Sequence, residues 1–228
     1  MKTKFLSDGS TNAKTAKNAR KSFILYLAPF TQNSKGINLC PKASAGCVAA
    51  CLFTAGRGAF ANVANARIKR TEAMLADRIL FTNQIIDEMN SYAKKNAGQQ
   101  IAIRLNGTSD VKIVEWAVAT NRSIESNIVF YDYTKIPSKA GERILASGHR
   151  YVVTLSRSEV NESDVLEHLG NGGIAAVVFN ELPETWNGYK VYDGDSRDDL
   201  MLDIQGGGIL GLKAKGKARK DTTGFVVS

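Results

Sequence analysis

The sequence predicts one α/β domain, a TIM-like (β/α) barrel, complete or incomplete, with a cysteine-bearing loop after its first strand. Short apolar runs rich in β-branched residues recur along the chain, as expected for strands buried on both faces of a parallel sheet. Helix-compatible segments separate several of these runs, so strands and helices alternate. No Pro- or Ser-rich linker divides the 228 residues, which predicts a single domain spanning residues 1–228.

The apolar runs predict seven strands, at residues 23–27, 101–105, 128–133, 151–155, 174–179, 190–192 and 209–212. The helical patterns predict helices at residues 59–95, 111–120, 138–146 and 162–169. An open, doubly wound sheet is the competing topology for the same alternation. The connection between the first strand and the first helix, residues 28–58, is too long for a simple βα loop and is not of low complexity. We therefore expect it to be functional.

The net charge of +8 is concentrated at the two ends of the chain. Residues 1–21 contain six Lys or Arg and one Asp, and residues 213–228 contain five and one. Residues 22–212 are nearly neutral, with 19 basic and 20 acidic side chains. Basic ends are typical of solvated termini, and they also leave nucleic-acid binding open.

Two further classes of protein are disfavoured. No apolar run is long enough to cross a membrane and no apolar leader follows Met1, so we expect a cytoplasmic protein without a membrane partner. Three cysteines are an odd number in a chain of this length, which argues against a small scaffold held together by disulfides.

All three cysteines lie in the long connection, in the run Cys40-Pro-Lys-Ala-Ser-Ala-Gly-Cys47-Val-Ala-Ala-Cys51. Three thiolates from one loop can hold three irons of a [4Fe–4S] cluster and leave the fourth iron for another ligand. One alternative is three buried structural thiols. Another is zinc, which usually takes four ligands with closely spaced cysteine pairs. The only histidines, His149 and His168, are distant in the sequence.

Polar residues follow five of the predicted strands. The carboxyl ends of barrel strands share one rim where functional residues collect, and polar groups at the ends of buried strands need partners. The predicted catalytic residues, which bind anionic groups, orient substrate or move protons, are Arg104, Asp110, Asp132, Lys135, Arg157, Glu159, Asp193 and Asp195. The predicted cofactor-binding residues are Asn106, Ser156 and Lys213. The alternative is that these are ordinary solvated loop starts.

The barrel hypothesis also predicts which side chains meet. Five residues from different strands should converge on the cysteine loop, namely Arg104, Asn106, Asp132, Arg157 and Asp193. Their charges would then need one another, because an unpaired buried charge is costly.

The chain resembles an uncharacterised family of proteins encoded by tailed bacteriophages. The resemblance extends from Tyr26-Leu-Ala-Pro29 to Gly224-Phe-Val226. It rests on Leu39-Cys-Pro41, Cys47-Val-Ala-Ala-Cys51-Leu-Phe-Thr-Ala-Gly56-Arg57-Gly58, Arg104-Leu-Asn-Gly-Thr-Ser-Asp110, Tyr131-Asp-Tyr-Thr-Lys135, Leu155-Ser-Arg-Ser-Glu159, Asp193-Gly-Asp195 and Gly211-Leu-Lys-Ala-Lys-Gly216. It implies a phage origin, and therefore the cytoplasm of a host cell, but no particular reaction.

A three-cysteine loop after the first strand of a (β/α) barrel is also similar to radical S-adenosylmethionine enzymes. In those enzymes the fourth iron chelates the amino and carboxyl groups of S-adenosylmethionine, and the cluster cleaves its sulfonium reductively. The spacing here is C-x6-C-x3-C rather than C-x3-C-x2-C, and no evident Gly-Gly-Glu follows the second strand.

We therefore expect a radical-SAM-like or other [4Fe–4S]-dependent enzyme that acts on a small anionic or nucleotide substrate, with S-adenosylmethionine as a candidate second cofactor. The alternative is a non-enzymatic iron–sulfur or zinc protein whose basic ends bind nucleic acid or a host protein. Strong salt dependence of DNA or RNA binding would favour that alternative.

Overall fold

The structure is a computed structural model that describes residues 4–51 and 56–228. Within these residues it is a mixed α/β fold. The strands are β1 (Leu6–Asp8), β2 (Lys21–Leu25), β3 (Ile101–Arg104), β4 (Ile128–Thr134), β5 (Gly141–Ile144), β6 (Arg150–Ser156), β7 (Ile174–Phe179), β8 (Thr185–Trp186), β9 (Tyr189–Asp193) and β10 (Gly208–Lys213). The α-helices are α1 (Ala45–Ala49), α2 (Ala61–Ala76), α3 (Arg78–Lys95), α4 (Ile113–Ala119) and α5 (Glu162–Gly170).

The strands form one mostly parallel sheet in the order β1-β2-β3-β4-β6-β7-β10-β9-β8, and β5 pairs with the first half of β6. Seven strands run parallel, namely β2, β3, β4, β6, β7, β9 and β10. Strands β1, β5 and β8 pair in the antiparallel direction. From β2 to β7, the parallel strands stand in the same order as in the sequence, with no reversal of direction along the sheet.

Helices α2 to α5 pack on one face of the sheet, which we call the helix face. The register places Phe23, Ile103 and Phe130 in one row across neighbouring strands, and all three lie in the apolar core with residues of α2, α3 and α4. Helix α5 packs on the same face farther along the sheet, against β7 and β10. Burial of apolar side chains against these helices is the main stabilising term for this layer.

The opposite face, which we call the second face, is covered differently. Its apolar row includes Ala102, Tyr131 and Leu210, and it packs against the short segment that contains Met201 and Leu202. Apolar residues therefore occur on both sides of each central strand, which explains why the sequence runs were nearly continuous rather than alternating.

All seven predicted strands are confirmed, as β2, β3, β4, β6, β7, β9 and β10. The short elements β1, β8 and α1 were not predicted. No helix in the described ranges is both long enough and apolar enough to cross a bilayer.

The helix predicted at residues 138–146 is wrong. The chain instead forms a short 3₁₀ turn at Pro137–Lys139 and then β5, which pairs with β6 as a hairpin. Gly148, in the connection, has φ of +80°, a conformation that favours a turn over a continuing helix. Long-range pairing with β6 therefore outweighs the local helical propensity of this segment.

The single long helix predicted at residues 59–95 is two helices, α2 and α3. The chain breaks at Asp77, whose backbone is extended, with φ of −147° and ψ of 98°. The Asp77 side chain caps α3, because Oδ1 accepts a hydrogen bond from the backbone N–H of Leu80 at 2.9 Å. An N-cap within a continuous apolar pattern thus separates the two helices.

Candidate functional site

The cysteine connection and the polar strand ends lie along one edge of the sheet. The cysteines follow β2, and the polar segments of interest follow β3, β4, β6, β9 and β10, all of which run parallel to β2. The carboxyl ends of parallel strands meet at one edge, so this part of the predicted geometry follows directly from the sheet. Residues 52–55, which belong to the family motif after Cys51, lie outside the described residues.

The loop after β3 is bonded to the start of the cysteine connection. The backbone N–H of Asp110 donates to the carbonyl oxygen of Leu39 at 2.8 Å, and Cys40 Sγ lies 3.8 Å from the carbonyl oxygen of Thr108. Gly107 permits the close approach, since a Cβ there would lie 2.8 Å from the carbonyl oxygen of Leu25. These contacts place Cys40 directly over the carboxyl end of β3.

Helix α1 carries Cys47 and is positioned from the loop after β6. Ser44 caps the helix, and its Oγ accepts a hydrogen bond from the backbone N–H of Cys47 at 3.2 Å. The Glu159 carboxylate accepts hydrogen bonds from Ser44 Oγ and the backbone N–H of Gly46, each at 2.7 Å. Burial alone would raise the pKa of Glu159, but these hydrogen bonds outweigh it and lower the pKa. Glu159, a predicted catalytic residue, is thus placed to position the cysteine helix.

Cys40, Cys47 and Cys51, which we call the cysteine group, are each half-buried. All three lie in the described part of the chain, and no disulfide joins them. Burial raises the pKa of Cys40 to about 11, and the charges of Cys47 and Cys51 add to the rise. Burial also raises the pKa of Cys47, against the opposing effect of Lys135. The three thiols come from twelve consecutive residues of one connection.

Among the described residues, no three His, Cys, Asp or Glu side chains form a group that could hold one metal ion. A zinc ion requires its sulfur ligands at about 2.3 Å, whereas each cysteine of an iron–sulfur cluster binds a separate iron. The histidines lie elsewhere. The ring nitrogens of His149 are 3.0 Å from Ser147 Oγ and the Glu125 carbonyl oxygen, and His168 is on α5.

Lys135 is a cation on the Cys47 side of the cysteine group. Its Nζ donates to the carbonyl oxygen of Arg157 at 3.2 Å and lies 5.3 Å from the centre of the Phe225 ring. Burial lowers the pKa of Lys135, and the charges of Cys47, Glu159 and other acidic neighbours oppose that shift. A positive charge at this position favours thiolate over thiol.

Asn106 and Asp132 form a buried polar unit on the helix face. Asp132 Oδ1 accepts from the backbone N–H of Asn106 at 2.8 Å, and Oδ2 accepts from Tyr151 Oη at 3.0 Å. The side chain of Asp132 is only 1% exposed. Burial raises its pKa to about 7, although Arg104 and these hydrogen bonds favour the charged form. The unit fixes the loop after β3.

Asp110 is also satisfied within the protein. Its carboxylate accepts from Thr134 Oγ1 at 2.9 Å and from the backbone N–H of Lys135 at 3.0 Å, and it pairs with Lys139 Nζ at 3.0 Å. Together with the backbone bond to Leu39, these contacts tie the ends of β3 and β4 to the cysteine connection.

Arg157 is held by the C-terminal segment and by α5. Its Nη2 pairs with Glu162 at 2.7 Å, and its Nη1 donates to the carbonyl oxygen of Gly224 at 2.6 Å. Ser156 ends β6 on the second face, in register with Ala176.

The residues after β9 form a turn of their own. Asp193 Oδ1 accepts the backbone N–H of Asp195 at 2.9 Å. Asp195 accepts the backbone N–H of Lys213 at 3.0 Å and pairs with Lys215 Nζ at 2.7 Å. These contacts join the ends of β9 and β10.

Arg104 lies on the second face and is the centre of a group that the sequence did not predict. Its Nη1 pairs with the buried carboxylate of Asp198 at 2.9 Å, and Lys14 Nζ pairs with the same carboxylate at 3.1 Å. Tyr131 Oη donates to Asp198 at 3.1 Å. The guanidinium of Arg104 lies 4.6 Å from the centre of the Tyr133 ring. We call these five residues the Arg104 cluster.

Charge pairing dominates this cluster. Burial disfavours the charge of Arg104, but the nearby Asp198 carboxylate raises its pKa, and Arg104 and Lys14 in turn lower the pKa of Asp198. Asp198 lies 94 positions from Arg104 in the sequence, within a turn that has no periodicity, so no sequence signal identified it.

The five side chains predicted to converge share one edge of the sheet but bond to different partners. Asn106 and Asp132 bond to each other on the helix face, and Arg104 bonds to Asp198 on the second face. Arg157 donates to the Glu162 carboxylate, and Asp193 accepts the backbone N–H of Asp195.

The comparisons with known proteins identify the family. Neither the curated proteins nor the solved structures contain a match to this chain. The family model described as gene product 88 matches residues 4–228, which is almost the whole chain. This confirms the resemblance to a phage-type gene product family at that level, and the chain therefore belongs to the gene product 88 family.

Proposed function

We propose that this protein is a phage-encoded iron–sulfur protein that binds a [4Fe–4S] cluster through Cys40, Cys47 and Cys51. The observation that carries the proposal is the cysteine group itself. Three half-buried thiols come from one connection, in which Cys40 Sγ lies 3.8 Å from the carbonyl oxygen of Thr108, at the edge of the sheet where the parallel strands end. Thiolates are the preferred ligands of iron–sulfur clusters, and three can hold three of the four irons.

The surroundings fit a bound cluster. Ala50, Ala214 and Phe225 belong to an apolar cluster against which Cys47 packs. Lys135 supplies a nearby positive charge that suits thiolate ligands. Burial raises the pKa of Cys40, so metal binding there must displace a proton and should strengthen as pH rises.

We further propose that the sheet is an incomplete (β/α) barrel. Two observations support this: the parallel strands from β2 to β7 follow the chain order, and α2 to α5 pack on one face. Beyond β7 the order reverses, because β10 lies between β7 and β9. A doubly wound sheet has helices on both faces, whereas α2 to α5 cover one face here. In a barrel, the second face would be the interior and the cysteine group would lie at its mouth.

With this geometry we propose an enzyme, radical-SAM-like or otherwise cluster-dependent, in the host cytoplasm. A cluster with an open iron supplies one-electron reduction or Lewis acidity, and S-adenosylmethionine is the candidate second cofactor. The chain supplies the rest. Glu159 positions the helix that carries Cys47, Lys135 provides positive charge at the thiols, and the Arg104 cluster provides a polar surface for a small anionic or nucleotide substrate.

The alternative, a non-enzymatic protein that binds nucleic acid through its basic ends, is less well supported. Several of those basic side chains already pair with carboxylates of this chain. Lys14 pairs with Asp198, Arg20 with Asp203, and Lys215 with Asp195. Fewer charges are then available for counterion release on a phosphate backbone.

The test is anaerobic purification with iron and sulfide analysis and a visible spectrum. We expect brown protein with broad absorption near ~400 nm, typical of thiolate-bound clusters. Replacement of any one of Cys40, Cys47 or Cys51 by Ala should abolish cluster retention, whereas His168→Ala, a control on α5, should retain it. Colourless protein with stoichiometric zinc, or iron that is retained by the cysteine variants, would overturn the proposal.

A further inference from the structure

We infer that the second face of the sheet beside Arg104 binds an oxyanion, a phosphate or carboxylate group of the small molecule on which the protein acts. The inference deepens the proposed function, on which it rests for the role of the bound molecule. The site itself consists of Arg104, Thr154 and the charges around them, and it requires no bound cluster.

Arg104 presents an unused edge of its guanidinium. Its Nη1 bonds to Asp198 at 2.9 Å, and its Nε is buried with no hydrogen-bond partner in the described part of the chain. The side chain is 16% exposed and lies over the Tyr133 ring. Nε and Nη2 form one edge of the guanidinium fork, the edge that binds a carboxylate or phosphate through two parallel hydrogen bonds.

Thr154 supplies a second group of the same kind. It is 0% exposed, and its Oγ1 has no hydrogen-bond partner among the described residues. Thr154 is the register partner of Tyr133, so its hydroxyl lies on the second face beside the ring that Arg104 covers. A buried hydroxyl without a partner costs free energy unless a ligand or water satisfies it.

The local charge also favours an anion. Arg104 and Lys14 both pair with one carboxylate, that of Asp198. Two further carboxylates act on Tyr133, but Asp195 is paired with Lys215, and Asp199 is paired with Arg20 and Arg197. The next carboxylate that influences Arg104 is Asp132, which lies on the helix face and is bonded to Asn106. Buried charges are normally paired, so a bound anion would complete this group.

The Arg104 cluster and the cysteine group lie along the same edge of the sheet, because β2 and β3 are parallel neighbours. Arg104 ends β3, and Cys40 Sγ lies 3.8 Å from the carbonyl oxygen of Thr108 in the loop that follows β3. A molecule anchored at Arg104 would therefore extend toward Cys40 along this edge.

The probes are inorganic phosphate and malonate, titrated separately into the full-length protein before and after anaerobic cluster loading, with heat as the signal. We expect saturable binding of at least one probe to the unloaded protein, and the tighter probe identifies the phosphate or carboxylate class. Thr154→Val, which removes the hydroxyl and keeps the shape, should weaken binding roughly fivefold to tenfold. Arg104→Lys, which keeps the charge and removes the forked edge, should weaken it by at least about tenfold.

Arg122→Lys is the matched control, because Arg122 forms an exposed pair with Asp87 on the outside of the helix layer. It should bind the probes as the wild type does. The inference would be overturned if neither probe bound saturably to the wild type. It would also be overturned if the Thr154→Val and Arg104→Lys variants bound the probes as tightly as the wild type does. Anion binding without cluster retention would contradict the proposed function alone, and cluster retention without anion binding would contradict this inference alone.

Discussion

The two faces of the sheet treat their polar strand-end side chains differently. On the helix face, Asp132 and Asp110 each receive several hydrogen bonds from neighbouring strands and loops. On the second face, Arg104 keeps one edge of its fork without a partner, and Thr154 Oγ1 has none within the described residues. A polar residue at a strand end is therefore a candidate for ligand binding only where the protein leaves its hydrogen bonds open.

The largest effect should come from removing the carboxylate that holds the second face together. Asp198→Asn leaves the partly buried side chains of Arg104 and Lys14 without their shared counter-ion. We expect the free energy of unfolding in urea to fall by about 3–5 kcal/mol. Asp87→Asn, which breaks the exposed pair with Arg122, is the control and should cost less than ~1 kcal/mol. Equal losses of unfolding free energy in the two variants would mean that the Asp198 pairs stabilise the fold no more than an exposed ion pair does.

The next effect tests the helix face through pH. Burial raises the pKa of Asp132 to about 7, above its ordinary value of 3.8, so the folded protein holds this proton over a wider range than the unfolded chain. The free energy of unfolding should therefore fall as pH rises from about 4 to 7, by up to ~1.4 kcal/mol per pH unit.

Asp132→Asn removes the titrating group and should flatten this slope. The measurement is urea unfolding of both proteins at several pH values across that range, with the difference between the two slopes as the result. Identical slopes would mean that Asp132 does not titrate as its burial requires.

A threonine on the helix face should be costly to replace. Thr134→Val removes a donor to the Asp110 carboxylate while keeping the shape of the side chain. We expect a loss of about 1–3 kcal/mol in unfolding free energy, because Asp110 is left less satisfied. Thermal unfolding monitored by circular dichroism is sufficient to measure it. A loss near zero would show that water replaces the hydroxyl without cost.

The smallest effect is expected at Thr154, the matched position on the second face. Thr154→Val breaks no hydrogen bond within the described residues and replaces an unsatisfied hydroxyl by a methyl group. Unfolding free energy should stay the same or rise by about 0–1 kcal/mol. If Thr154→Val lowers the free energy of unfolding as much as Thr134→Val does, then the Thr154 hydroxyl has a hydrogen-bond partner. The two faces would then satisfy their polar side chains equally.

Sequence reasoning located the strands and the shared edge, because buried parallel strands leave continuous apolar runs and their carboxyl ends must coincide. The sequence pattern does not indicate which strand residues point to the helix face and which to the second face. Asp132 and Tyr133 are adjacent in the sequence yet lie on opposite sides of β4, and a run that is apolar on both sides conceals which side the helices cover. Asp198 was missed because a turn residue far along the chain carries no pattern that points to Arg104.

The end of the chain forms part of the wall of the cysteine group. Val227 bridges β7, where its N–H donates to the carbonyl oxygen of Val178 at 2.9 Å, and Arg157 Nη1 holds the carbonyl oxygen of Gly224 at 2.6 Å. Between them, Phe225 packs in the apolar cluster that contacts Cys47. Trimming residues 224–228 would therefore remove Phe225 and uncover the thiol of Cys47, although these five residues contain none of the predicted ligands.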